Sequence, residues 1–239
     1  LDIIGSLLDK GYQWVIWKNN MDISALGRQL FRSAPEHKAL GAAFAAAELG
    51  GGTNHFCNEV AERVMRNCFS PKNSLVGHKH FWQSDYTLMR QPAWMASLKM
   101  ASTRVLGTES MNGDNKKGYY LADGALFVYD TGQEYLNIFP VWDWRKVPGV
   151  TTYESDASMP MLEKSYYPGN ESDFVGGISD GKQGLSVMEL KRDGLTVRKY
   201  CLFTPEALVV LGSGIQSDSL LPVTTSIEQC WAEDKAEVW

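Results

Sequence analysis

Two clusters of side chains carry spacing that could do chemistry. In "LGRQLFR", Arg28 and Arg32 lie four residues apart and would point the same way on a helix, and Gly27 lets another backbone come close. Such a pair is the kind of local basic site that a polyanion needs, although it equally fits a solvated surface. The second cluster is "GTESMNGDNKKGYYLADGA", where Glu109, Asn112, Asp114 and Asn115 crowd into a turn ahead of an aromatic strand. A carboxylate with amides three and six positions later can face a partner, or can satisfy its own loop backbone.

Charge narrows the partners. The chain of 239 residues has a net charge of −5, with residues 1–73 at +1 and 74–239 at −6. Nucleic-acid binding needs a broad basic field, which this distribution excludes. No apolar run reaches the roughly 20 residues that a bilayer requires, so no membrane partner is expected. The chain opens at Leu1 without a recognisable leader and reads as a piece cut from something longer. Cys57, Cys68, Cys201 and Cys230 have no CxxC spacing and read as buried small hydrophobes.

The elements that must position these clusters change type along the chain. Ser33-Ala34-Pro35-Glu36 is a capping box opening the Ala-rich helix "HKALGAAFAAAEL", which Gly50-Gly51-Gly52 stops. A second helix is predicted from Asn54, with Phe56, Val60 and Val64 on one face and Ser70-Pro71 closing it, and a third over Ile3–Trp17 with an ambiguous aromatic end. After residue 74 the period falls to two. Trp94, Ala96, Leu98 and Met100 alternate with more polar neighbours, and "LSVMELK" joins "LTVRKYCLF" through Asp193-Gly194, a hairpin signal. Thr204-Pro205-Glu206 then turns into "ALVVLGSGI". Strands this close in sequence pair antiparallel, so the expectation is an α+β chain: helices over 1–73, then an antiparallel β-sandwich over 74–239, with the boundary in "SPKNSL".

Other candidates are weaker. His78 and His80 share one strand face but have no third ligand near in sequence, so ordinary histidines are preferred to a metal site. Asn170-Glu171-Ser172 is a sequon, relevant only in a eukaryotic secretory setting. Trp82, Trp94, Trp142 and Trp144 could stack on sugar rings, but core placement is the commoner fate. There is no GxSxG, HExxH, P-loop or GxGxxG.

Against this background, five motifs in order resemble the central region of polysaccharide lyase family 8, the chondroitin, hyaluronan and xanthan lyases. They are "SDY", "S.R", "E..NG.N..G.Y..DG", "YLNIFPVWDW" and "PG.TT", spread over roughly residues 75–155, with "GRQLFR" upstream. The resemblance implies the end of an (α/α) toroid followed by a large antiparallel sandwich. It also implies β-elimination on an acidic polysaccharide, with chondroitin sulfate the expected substrate and hyaluronan the nearest alternative. Arg28 matches an active-site arginine and Arg32 a second one, Glu109 a carboxylate that orients Arg28 or the catalytic tyrosine, and Asn112 a polar group in the cleft. Arg28 and Glu109 are thus the catalytic candidates, Arg32 and Asn112 the substrate-binding ones. The family's upstream His and Tyr pair has no match, since residues 1–27 hold no histidine and Tyr12 lacks the motif.

The isolated chain is therefore expected to be inactive, the remainder of the parent chain being its partner. A bacterial secreted or periplasmic location follows from the family alone. No cofactor is predicted, and a divalent cation on the acidic second part stays an alternative. A non-catalytic sugar-binding or scaffolding module is the competing class.

Overall fold

The computed structural model describes residues 2–30, 34–50, 58, 75–163 and 169–232. Two helices, α1 (Asp2–Lys10) and α2 (Ala34–Gly50), come first, with two-residue strands β1 (Ile16–Trp17) and β2 (Asn20–Met21) pairing between them. Helix α2 begins and ends where Pro35-Glu36 and Gly50 place it. The helix expected over Ile3–Trp17 is shorter: it stops at Lys10, gives way to a 3-10 turn over Tyr12–Val15, and ends in β1. Aromatic and β-branched residues in "YQWVIW" lose side-chain freedom in a helix, and pairing with β2 takes them instead. The helix predicted from Asn54, the boundary at 70–75 and Ser33 of the capping box all lie outside the described residues. No toroid is visible among the described residues.

The rest is β-structure in two meanders. The first sheet runs β3 (Gly77–Phe81), β4 (Tyr86–Arg90), β5 (Met95–Lys99) and β6 (Ala125–Tyr129), every neighbour antiparallel. The second runs β8 (Val175–Ser179), β9 (Gly184–Arg192), β10 (Leu195–Phe203) and β11 (Leu208–Ser217), again antiparallel throughout. A separate small pair joins β7 (Thr151–Tyr153), which follows the first sheet, to β12 (Val223–Thr225), which follows the second. Asp193 and Gly194 both take positive φ, 53° and 75°, which is the two-residue turn that matches strand twist.

The first sheet is the middle layer. On one face Met89, Ala96, Leu98 and Met100 meet Met188, Leu190, Val197, Cys201 and Phe203 of the second sheet. On the other, Tyr86, Leu88, Met95, Phe127 and Tyr129 pack against the N-terminal segment and the loop after β6. The expected alternation of β5 with polar neighbours is therefore only half right. Met95 and Ser97 are as buried as Ala96, because the N-terminal segment covers their face.

Arg90 on β4 anchors that cover. It is fully buried and donates to the carbonyls of Trp14 (2.9 Å), Ile16 (2.7 Å), Gln13 (3.4 Å) and Leu75 (3.2 Å), with Trp17 stacked 5.2 Å from its guanidinium. A buried charge is tolerable only with acceptors around it of this kind. Trp142 and Trp144 join this core rather than a sugar site, whereas Trp82 is exposed. Asn170 of the sequon is buried as a strut, donating to Ala101 and Glu189 carbonyls at 2.8 Å each.

Candidate active site

The site grows from two loops that lie 81 residues apart in the chain. The first leaves β2 and makes a 3-10 turn over Ile23–Ala25 before reaching Gly27 and Arg28. Asp22, just ahead of that turn, is buried against the sheet. Its carboxylate accepts from Tyr86 Oη (2.8 Å), Ser97 Oγ (2.8 Å) and Tyr129 Oη (2.7 Å), one hydroxyl from each of β4, β5 and β6. Tyr129 Oη in turn accepts from the backbone N–H of Ile23 at 3.0 Å. Burial pushes the Asp22 carboxyl above its ordinary pKa, and the three hydroxyls pull against that. Burial and the Asp22 charge raise both tyrosines, so they stay donors.

The second loop joins β5 to β6. Its polar residues divide their work. Asn115 donates from Nδ2 to Thr108 Oγ1 (3.0 Å) and the Glu109 carbonyl (2.9 Å), and Ser110 Oγ donates to the Asp114 carbonyl (2.8 Å). Asn112 and Gly113 take positive φ, 58° and 85°, at an exposed tip where asparagine and glycine tolerate the left-handed backbone. The base of the loop is bolted to the second sheet. Asp123 receives Arg192 Nη1 at 2.7 and 2.8 Å, and Tyr119 Oη donates to Asp193 while its ring lies 3.6 Å under the Arg192 guanidinium. Asp85 of "SDY" pairs with Arg104 of "S.R" at 3.6 Å, so these motif residues meet in space.

Glu109, on the limb of the loop ahead of its tip, faces Arg28. Its Oε1 lies 3.2 Å from Arg28 Nη1, and both side chains are partly exposed, 40% and 29%. Gly27, at φ +62°, sits so close that a Cβ there would fall 3.2 Å from the same oxygen. A cavity of about 240 Å³ opens beside the pair, lined by Ser24, Gly27, Lys99, Thr108 and Glu109 among others. A larger one of about 410 Å³ shares Ser24 and Lys99 with it and continues past Tyr12 and Phe81. Burial pulls the Lys99 ammonium down to about 8, and its Nζ donates to the Ser84 carbonyl at 2.6 Å.

The structure thus brings Arg28 and Glu109 together, as the sequence reading expected, and puts Asn112 at the tip of the same loop, away from the carboxylate's pairing. Arg32 lies outside the described residues. Sequence reasoning did not find Asp22, Tyr86, Ser97, Tyr129 or Lys99; only "SDY" brushed one of them. His78 and His80 are in the seam between the sheets, bonded to Ser179 Oγ and Thr87 Oγ1 at 2.8 Å each, and no metal-holding group of His, Cys, Asp or Glu exists among the described residues.

Fold and site together define a two-sheet β-protein whose loop carboxylate meets an arginine from a segment packed on the sheet's outer face. The family model for the super-sandwich domain of polysaccharide lyase family 8 matches residues 76–238, and the chain belongs to that family. It is 39% identical over 154 residues to Chondroitinase-AC of Pedobacter heparinus, a match spanning 64% of this chain and 22% of that protein. It is 29% identical over 155 residues to Xanthan lyase of Bacillus sp. (strain GL1), spanning 63% of this chain and 16% of that protein. A chondroitinase AC lyase solved as enzyme-oligosaccharide complexes superposes with a TM-score of 0.88 at 29% identity, covering 98% of this chain and 35% of that one. The chain therefore spans about a fifth of the length of these curated relatives.

Proposed function

We propose that this chain forms the arginine and glutamate half of a lyase that cleaves a uronic-acid-containing glycosaminoglycan, chondroitin sulfate in the first place, by β-elimination. In that reading its N-terminal segment is the end of a helical toroid, and the parent protein works outside the cytoplasm, where such substrates are met. The observation that carries the reading is the Arg28–Glu109 pair at the cavity mouth, joined from two distant parts of the chain. The identity to Chondroitinase-AC supports the substrate.

The reaction removes the C5 proton of the uronic acid and expels the glycosidic oxygen on C4, leaving an unsaturated sugar. C5–H is a very weak acid because its carbanion forms beside an ionised carboxylate. Fixed donors aimed at the developing charge lower that barrier by about 3 kcal/mol each. Arg28 supplies such a donor near the leaving-group oxygen. Glu109 holds one guanidinium nitrogen by a charge-assisted bond, so the remaining donors point at substrate without reorganising. Arg32 and Asn112 add contacts to the sugar. The proton-transfer pair comes from the parent chain ahead of Arg28, so the 239 residues alone have no turnover.

The test is Glu109→Ala in the full-length parent protein with chondroitin sulfate, read by the ultraviolet absorbance of the unsaturated uronate. Turnover should fall by about 100-fold with binding little changed. A non-catalytic sugar-binding module has no turnover to lose, and wild-type protein without absorbance change would overturn the reading.

A further inference from the structure

The Arg28–Glu109 contact depends on where the turn carrying Arg28 sits, and that turn is seated by its apolar residues Ile23 and Leu26, both buried in the core. The 3-10 turn Ile23–Ala25 has no side-chain cap, and Gly27 takes the left-handed φ of +62° directly before Arg28, so burial of apolar groups alone leaves the direction of Arg28 to be set. A directional polar anchor sits immediately upstream of the turn, buried away from solvent. Asp22 is fully buried, and its two oxygens receive the three hydroxyls of Tyr86, Ser97 and Tyr129. The three donors stand on adjacent strands β4, β5 and β6, so one carboxylate reads the position of three strands at once.

The loop bearing Glu109 connects two of those strands. Its far end leaves Lys99, two residues after Ser97, and it returns to β6, which carries Tyr129. Tyr129 Oη closes the circuit by also accepting the Ile23 N–H, the first amide of the turn. The cavity beside Glu109 is walled by Ile23 and Ser24, the residues immediately following Asp22. Three hydroxyls around one carboxylate stabilise far less than a packed apolar trio of the same volume would. Their value is in geometry: a carboxylate fixes donor directions that apolar packing leaves free.

We infer that Asp22 is a positioning residue that, through Tyr86, Ser97 and Tyr129, sets Arg28 in register with Glu109. This rests on the proposed lyase reading only for its effect on turnover; the placement of the turn is testable without it. Asp22→Asn keeps the shape but turns one acceptor into a donor facing hydroxyls, and Tyr129→Phe removes only the bridge between Asp22 and Ile23.

In the full-length parent protein, trypsin cleavage after Arg28 should quicken about tenfold in Asp22→Asn, while cleavage after Arg198 on the second sheet keeps its wild-type rate. Tyr129→Phe, the milder change, should show the same selectivity to a smaller degree. With chondroitin sulfate, kcat should fall by about 100-fold with KM changed less than threefold, since a displaced donor misses the transition state more than the ground state. Unchanged cleavage after Arg28 in both variants, or equal acceleration after Arg28 and Arg198, would overturn the inference. Wild-type kcat in Asp22→Asn would also overturn it while leaving the lyase reading intact. A wild-type protein that makes no unsaturated product sinks the lyase reading, and the selective cleavage then decides the positioning role by itself.

Discussion

The two four-stranded sheets share a topology and differ in what covers them. The second sheet buries one face: β9 and β10 alternate buried and more exposed residues along their whole length, and β11 leaves Val209, Val210, Leu211 and Ile215 exposed. The first sheet is covered on both faces, and β4 is buried at all five positions. The polar residues buried on β4 and β5 are used as joints: Arg90 for the carbonyls of the N-terminal segment, Ser97 and Tyr86 for Asp22, Thr87 for Ser186 across the seam at 2.6 Å. One site loop leaves this doubly covered sheet, and the segment carrying the other packs on its face. Precision in a site comes from a layer whose side chains have no freedom left, and the open-faced sheet supplies backing.

That contrast can be broken most directly at Arg90. Arg90→Met removes the donor to the Trp14 and Ile16 carbonyls and leaves them buried without it, so stability should fall by about 3–5 kcal/mol in urea unfolding. The inter-sheet core comes next: Phe203→Ala, at a fully buried site, should cost about 3–4 kcal/mol while leaving trypsin cleavage after Arg28 at its folded-state rate.

A pH experiment probes the seam. Burial, helped by the nearby His80 charge, lowers His78 from 6.5 to about 4. The unfolded chain then binds the proton that the folded one refuses. The stability present above pH 6.5 is lost as pH falls toward 4, by no more than about 3 kcal/mol. The difference in unfolding free energy between wild type and His78→Gln, measured across that window, should carry this slope; a pH-independent difference would contradict it. The smallest effect is expected on the open face, where Val210→Thr on β11 should shift stability by about 0.5 kcal/mol or less. A large loss there would mean that the two sheets are not as different as their exposure suggests.

How much of this was legible beforehand follows the range of each signal. The start and stop of α2, the Asp193-Gly194 hairpin and the antiparallel meander each depend on neighbours within a few positions, and they were read correctly. The pairing of Glu109 with Arg28 came from a motif match, because nothing local to either residue points to the other. The strand at Ile16–Trp17 was missed, since its partner β2 is too short to announce itself. Of the crowded polar turn, Asn115 ties its own loop and Asn112 stands at the exposed tip with positive φ, a division of work that spacing alone did not reveal.

By itself the sequence determined α2, the Asp193-Gly194 hairpin and the antiparallel order of the strands, because capping, turn chemistry and strand period act between adjacent residues, and its motifs carried the family. Only the tertiary structure decided which sheet is buried on both faces, how close Glu109 comes to Arg28, and that three hydroxyls from three strands converge on Asp22. Those outcomes depend on contacts between residues 64 to 107 positions apart, and a buried charge finds its partners only when the whole layer has closed around it.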